Sequence, residues 1–172
     1  MNLKTLFCAS ALALCAAASH ADDLTLNVML VANPAIPGSY SAGWGVTHME
    51  AGAFTDTYNF LGSAGGVFDS SLVTLGFASA DIDFTSVSVN GHAFNLTNVG
   101  GLDLATLSGQ LLSNPIVLTV MGIAAPLLTA GTPTAASYAG TANIAGAVPE
   151  PESYAMLLAG LGAIGIVIRR RL

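Results

Sequence analysis

The chain has 172 residues, of which 8% are charged, with four Lys and Arg against ten Asp and Glu. All four cations (Lys4, Arg169, Arg170 and Arg171) lie near the two ends, so residues 22–147 contain neither Lys nor Arg. Nothing in that body can neutralise phosphate, which excludes nucleic acid as a partner and removes the cationic clamp that phosphoryl transfer needs.

Residues 1–21 read as a signal peptide. Lys4 supplies the basic start, Leu6 to Ala18 the apolar run, and Ser19 and Ala21 the small residues that a signal peptidase reads, so cleavage is expected after Ala21. Cys15 invites a lipoprotein reading, but Leu14 before it is too large for a lipobox. Both cysteines, Cys8 and Cys15, fall inside the segment removed on export. The remaining body therefore has no disulfide, thiolate nucleophile or Cys-bound metal, in a compartment where disulfides are allowed.

The body, residues 22–147, is long enough for one domain with a sizeable core. Leu24, Leu26, Val28 and Leu30 alternate with polar residues, the period of a half-buried strand. Asn33-Pro34 and Pro37-Gly38 then predict a loop carrying Tyr40 and Trp44. Phe54 to Phe60 resumes the alternation, with Phe54, Asp56, Tyr58 and Phe60 on one face, and Val67 to Phe77 is a broken strand region. In Asp81 to Asn90 the inward parity changes between Phe84 and Val87, which predicts a bulge. Asn90-Gly91 is a strong hairpin signal, with residues 92–99 as the returning strand.

The leucines at 102, 104, 107 and 111 suggest a turn or two of helix. Ile116 to Met121 is rich in β-branched residues, and Tyr138 to Ala145 is a last weak strand. The fold class expected is all-β, an antiparallel, jelly-roll-like sandwich of about seven to nine short strands, flanked by the signal peptide and a single carboxyl-terminal transmembrane helix.

The body holds eight carboxylates: Asp22, Asp23, Glu50, Asp56, Asp69, Asp81, Asp83 and Asp103. Only His48, His92 or a new amino terminus can form an ion pair with them. Asp56 shares a face with aromatic residues, so its charge must be met by backbone N–H groups, hydroxyls, a metal or edge water; an edge position satisfied by hydroxyls and backbone is expected. Asp81 and Asp83 point the same way on a strand and are weak candidates for calcium, which takes carboxylate and carbonyl oxygens, although two carboxylates fall well short of six to eight ligands.

His48 and His92 are not spaced as a ligand pair and are expected on the surface or in turns. Glu50, His48 and Ser39 or Ser41 can be drawn as a hydrolytic triad, but no Gly-x-Ser-x-Gly elbow is present, and no catalytic activity is expected. Tyr40 and Trp44 are candidate sugar contacts, because aromatic faces suit apolar sugar faces, with packing as the competing use of the only Trp. Asn95-Leu96-Thr97 fits a glycosylation sequon by chance spacing.

The tail, residues 148–172, has three parts. Val148-Pro149-Glu150-Pro151 is kept extended by its two prolines. Residues 154–168 carry no charge and predict a helix at home in lipid, but about 15 residues reach only about 22 Å, short of a comfortable span. Arg169, Arg170 and Arg171 act as a membrane stop that keeps that end cytoplasmic.

This tripartite tail resembles the PEP-CTERM sorting signal of Gram-negative bacteria. The resemblance implies recognition by an exosortase, a membrane protease-transpeptidase, and an association with exopolysaccharide and biofilm matrix. Phe54-Thr55-Asp56-Thr57-Tyr58 is similar to the signature of the FxDxF-type PEP-CTERM proteins, with Tyr58 in place of the second Phe.

Together these readings imply an exported protein, handled by the export machinery and signal peptidase, held transiently in the inner membrane facing the periplasm. It is then processed by an exosortase to the cell surface or extracellular matrix, with extracellular polysaccharide as a candidate partner. A carbohydrate-binding module and a calcium-stabilised adhesin are the alternatives.

Overall fold

Strands of alternating parity need a partner layer for their apolar faces, and a body without long apolar helices can supply it only with a second sheet. A computed structural model describes residues 21–63, 65–99, 101–146, 155–161 and 164. Eleven strands are seen among them: β1 (Thr25–Met29), β2 (Val31–Ala32), β3 (Ser39–Glu50), β4 (Gly52–Leu61), β5 (Gly66–Thr74), β6 (Ile82–Val89), β7 (His92–Ala93), β8 (Asn95–Val99), β9 (Leu102–Leu112), β10 (Ile116–Ala124) and β11 (Pro133–Ala145). One sheet runs β1-β4-β10-β6-β7 and the other β2-β3-β11-β5-β9-β8. The two faces close on a core of Phe54, Tyr58, Phe60, Phe84 and Leu118 from the first sheet and Phe68, Leu72, Tyr138 and Ile144 from the second.

The expected β-sandwich is what the strands build, but with eleven strands among the described residues where seven to nine short ones are expected, β3, β9 and β11 being 12, 11 and 13 residues long. There are three further differences of detail. Pairing is antiparallel except at the edge, where β1 runs parallel to β4 from Thr25↔Thr57 to Met29↔Leu61. The segment expected to be helical is β9. Its leucines do not share one face: Leu107 lies opposite inward Ser70, while Leu104 and Leu111 lie opposite Val73 and Val67 on the outer face. A bulge opposite Asp69, with Gly109 at φ 70°, falls between Leu107 and Leu111. The hairpin after Asn90 is short. Val89↔His92 closes a two-residue turn with both Asn90 and Gly91 at positive φ, but only β7 returns along β6, and β8 crosses to pair with β9.

The bulge expected between Phe84 and Val87 is present, since β10 shifts register there between Met121 and Gly122.

The weak strand is the most deeply paired one. β11 runs 13 residues between β3 and β5, and its inward positions alternate Ala136, Tyr138, Gly140, Ala142 and Ile144. The small residues make room. A Cβ on Gly140 would stand 2.4 Å from Cζ2 of Trp44, so glycine there lets the indole lie flat over the strand. The strand ends at Ala145, paired to Ser39 and Val67, and Gly146 N–H donates to Gly38 O at 2.7 Å.

The signal peptide up to residue 20 and the motif 148–151 lie outside the described residues, as do Arg169 to Arg171. Of the expected transmembrane helix, residues 155–161 and 164 are described, and they are helical and exposed. Among the described residues no helix is long and apolar enough to cross a membrane.

Candidate functional site

The polar groups that bind the two sheets together start from Asp56. On β4 it occupies the inward parity between Phe54 and Tyr58, which puts a carboxylate in the core at 0% exposure. This departs from the edge position expected for it: β4 is flanked by β1 and β10.

Three groups reach its carboxylate, and a fourth supports one of them. Leu24 N–H donates to Asp56 Oδ1 at 3.1 Å, and His48 Nε2 and the Tyr138 hydroxyl reach Oδ2 at 3.1 and 2.5 Å. The Tyr58 hydroxyl bonds to that of Tyr138 at 2.5 Å. His48 comes from β3 and Tyr138 from β11, so the array crosses from one sheet to the other.

His48 is therefore a core residue at 1% exposure, not the surface or turn histidine expected, and its ring stacks on Phe54 at 4.1 Å. Its Nδ1 is buried without a partner among the described residues. A neutral ring with its hydrogen on Nε2 fits, because a second buried N–H would have no acceptor. Burial, then the neighbouring Asp56 carboxylate, pushes the Tyr58 phenol well above the usual range. Burial, followed by the Tyr58 hydroxyl and Asp56, does the same for Tyr138. Both stay protonated and act as fixed donors. With every member fully enclosed, the array offers no surface to a substrate, and its chemistry is to satisfy a buried charge.

Asp103, which no sequence pattern singled out, makes a second such link. It is 9% exposed on β9, accepts from Phe84 N–H at 2.8 Å and Asn98 Nδ2 at 2.6 Å, and its own N–H donates to Thr74 Oγ1 at 2.9 Å. It lines a cleft of about 240 Å³ with Phe84, Asn98 and Leu104. Asp81 and Asp83, the weak calcium candidates, lie at the start of β6; Asp81 Oδ1 accepts from the N–H of Ile82 at 2.8 Å. Partial burial, then the charges of Asp103 and Asp81, raises the Asp83 carboxyl. Among the described residues no three His, Cys, Asp or Glu are grouped to hold a metal.

Tyr40 and Trp44 lie on β3, not in a loop, and both pack against the core. Trp44 rests between Tyr58 and Phe60, each 5.3 Å away between ring centres, so its face is used inward. A shallow groove of about 280 Å³ instead opens on the outer face of the second sheet. It is lined by Asp69, Ser71, Thr106, Ser108, Thr141 and Asn143. Ala21, the small residue expected before the signal-peptidase cut, is 1% exposed and donates to Ala53 O at 2.9 Å; Ser19 lies outside the described residues.

Two outcomes are expected. Because both phenols resist ionisation only when folded, their contribution is complete below pH 10, the unfolded value, and is lost as pH rises above it. Stability should fall by about 1.4 kcal/mol per pH unit for each tyrosine. Melting curves from pH 9 to 12 measure this, and Tyr138→Phe should flatten the slope while costing about 2–3 kcal/mol at pH 7. For Asp83 the carboxyl is raised above its ordinary 3.8, so the folded state holds the proton more tightly and ionisation disfavours folding as pH rises. Asp83→Asn should then raise stability by roughly 0.5 kcal/mol at pH 7 and by nothing near pH 3. If Asp81 and Asp83 held calcium, the same variant would lower the melting temperature in calcium and abolish its response to chelator.

No curated protein and no solved structure matches the chain. Residues 147–171 match the PEP-CTERM protein-sorting motif, beginning one residue after the Gly38–Gly146 bond that closes β11. The chain thus carries a PEP-CTERM sorting signal joined directly to the last strand of its sandwich.

Proposed function

We propose that this is an exported, exosortase-processed protein of the cell surface or extracellular matrix whose body has no catalytic activity of its own. The observation that carries the reading is the sorting motif at 147–171, which marks an exosortase-targeted exported protein. The body's composition supports the destination: a surface of Ser, Thr, Asn and Gly without a single Lys or Arg suits a hydrated polymer bed.

In this reading the leader is cut after Ala21, which releases the Ala21–Ala53 bond and the buried Ala21 methyl, while Asp23 and Leu24 remain tied to β4 through Thr55 N–H and Asp56. Residues 154–168 then hold the chain briefly in the inner membrane with Arg169 to Arg171 inside. The exosortase cuts near Val148 to Pro151. We read the body as a jelly-roll-like sandwich of the FxDxF type, in which Phe54, Asp56 and Tyr58 are the inward residues of β4.

Intact mass of the protein recovered from the culture matrix tests this. A product starting at Asp22 and ending near Pro151 is expected, with any attached group as added mass. Trypsin should leave that product whole even when unfolded, because it has no Lys or Arg. Full-length molecules ending at Leu172 and stably lodged in the inner membrane would overturn the reading.

A second reading, carbohydrate binding, is favoured by the hydroxyl- and amide-lined groove of the second sheet and no longer by Tyr40 and Trp44. With Asp69 as the groove's charged acceptor, its ligand is a neutral or amino sugar polymer, since an anionic one would be repelled. Asn143→Ala and Thr141→Val should weaken retention on the producer's polysaccharide several-fold with little change in melting temperature. Unchanged retention in both would remove this reading.

A further inference from the structure

The two ends of the sandwich differ in charge. One end is where β11 finishes: Ala145 pairs with Ser39 and Val67, Gly66 with Leu112, and Met29 with Leu61. Asn90 Nδ2 bonds there to the carbonyls of Ser113 and Pro115, bringing the β6–β7 and β9–β10 turns together. This end exposes large apolar side chains, Met29 at 64%, Val31 at 66%, Ile36 at 57%, Leu61 at 43% and Leu111 at 67%, and its turns hold no carboxylate. The nearest is Asp69, on the outer face of β5 beside Asn143 and held by Gly109 N–H at 2.8 Å.

The acids gather at the other end. Asp22 and Asp23 precede β1, Glu50 ends β3, Asp81 and Asp83 open β6, and Asp103 is the second residue of β9. Each of those strands has its opposite terminus at the tail end. Thirteen residues of β11 measure roughly 40 Å, several Debye lengths at physiological salt. Exposed apolar residues occur at the acidic end too, Phe77 at 70% and Leu127 at 76% among them, so charge and not greasiness distinguishes the two.

The tail, with its own Glu150 and Glu152, leaves from the end whose sandwich turns are charge-free. Eight residues separate Gly146 from Ala155, the first described helical residue, and such a tether spans at most about 30 Å. We infer that the charge-free end, with Met29, Val31, Ile36, Leu61 and Leu111, seats on the lipid surface while the sorting signal is held in the membrane. The inference rests on the sorting reading above. An apolar rim with amides from Asn33, Asn90 and Asn114 can enter the headgroup layer without desolvating a charge, whereas the acidic end would be repelled by anionic lipid. Seating keeps Gly146, from which the tail leaves, close to the lipid surface, and keeps the groove of the second sheet on the side of the molecule, open.

The leader-processed chain, residues 22–172, contains no cysteine, so single labels can be placed at will. Ile36→Cys, Leu111→Cys and, as an equally exposed control at the acidic end, Leu127→Cys would each carry an environment-sensitive dye. Each chain is reconstituted into phosphatidylethanolamine–phosphatidylglycerol vesicles containing a lipid-borne quencher. Quenching at 36 and 111 at least twofold stronger than at 127 is expected. If the chain sediments with vesicles but the three sites are quenched alike, or 127 more, the seated end is wrong and the sorting reading stands. If the chain does not sediment with vesicles, the membrane-held reading fails and this inference with it.

Discussion

The structure depends on one buried carboxylate that has no cation to meet it. Asp56 is held wholly inside a body whose sequence contains no Lys or Arg, and an isolated ionised carboxylate in an apolar core is untenable. What makes it tenable is a set of donors from both sheets: a backbone N–H from the segment before β1, an imidazole from β3 and a phenol from β11, itself supported by a second phenol from β4. The consequence is geometric. Hydrophobic contacts alone would let two sheets slide over one another, whereas three groups converging on one carboxylate admit a single alignment. Asp103 repeats the device nearer the acidic end, using the N–H of Phe84 on one sheet and Asn98 and Thr74 on the other.

Around that array the packing is aromatic, and two of the rings find room because a glycine stands beside each on the neighbouring strand. Phe54 and Tyr138 lie nearly parallel to the His48 ring, Phe84 meets Tyr138 edge-on, and Trp44 covers Tyr58 and Phe60. Gly140 and Gly122 both accept rings where a side chain would collide: a Cβ on Gly122 would come within 2.7 Å of the Phe54 ring. Each glycine is the register partner of the ring it accepts, Gly122 of Phe54 and Gly140 of Trp44, so a ring can lean over its neighbour strand within the same sheet.

Much of this was legible in the residues, and the failures have physical causes. The inward set of β4, the bulge in β6 and the Asn90-Gly91 turn follow from period and turn chemistry, which act locally. β11 looked weak because its apolar positions are mostly Ala and Gly; what makes it central is the size of the rings above it, a property of other strands. Residues 102–112 have leucines at a helix-like spacing although those leucines sit on both faces of a strand, so their period carries no face. Trp44 was expected in a loop because Pro37-Gly38 ends one, and β3 begins just after it. His48 was unreadable as a core group, since its partner sits on the next strand across a sheet gap and neither spacing nor composition points to it. Composition does narrow the choice: with no Lys or Arg, a buried Asp is left with backbone N–H groups, amides, hydroxyls or a histidine. That constraint named the partner types without naming the partners.

The junction between body and tail has its own logic. β11 is paired on both sides up to Ala145, and Gly146 is fixed by Gly38, with Gly66 so close that a Cβ on it would meet Ala145 O at 2.3 Å. The fold is therefore complete before the matched motif starts at residue 147. Every strand pair among the described residues of the sandwich lies before residue 147, so a cut at or beyond Val148 leaves those pairs in place. Had the motif overlapped β11, cleavage would strip the central strand from the second sheet and withdraw Tyr138 from Asp56. A sandwich whose last strand is also its most paired one can fold while still attached and lose its tail without unfolding, which is what a signal meant to be discarded requires of its cargo.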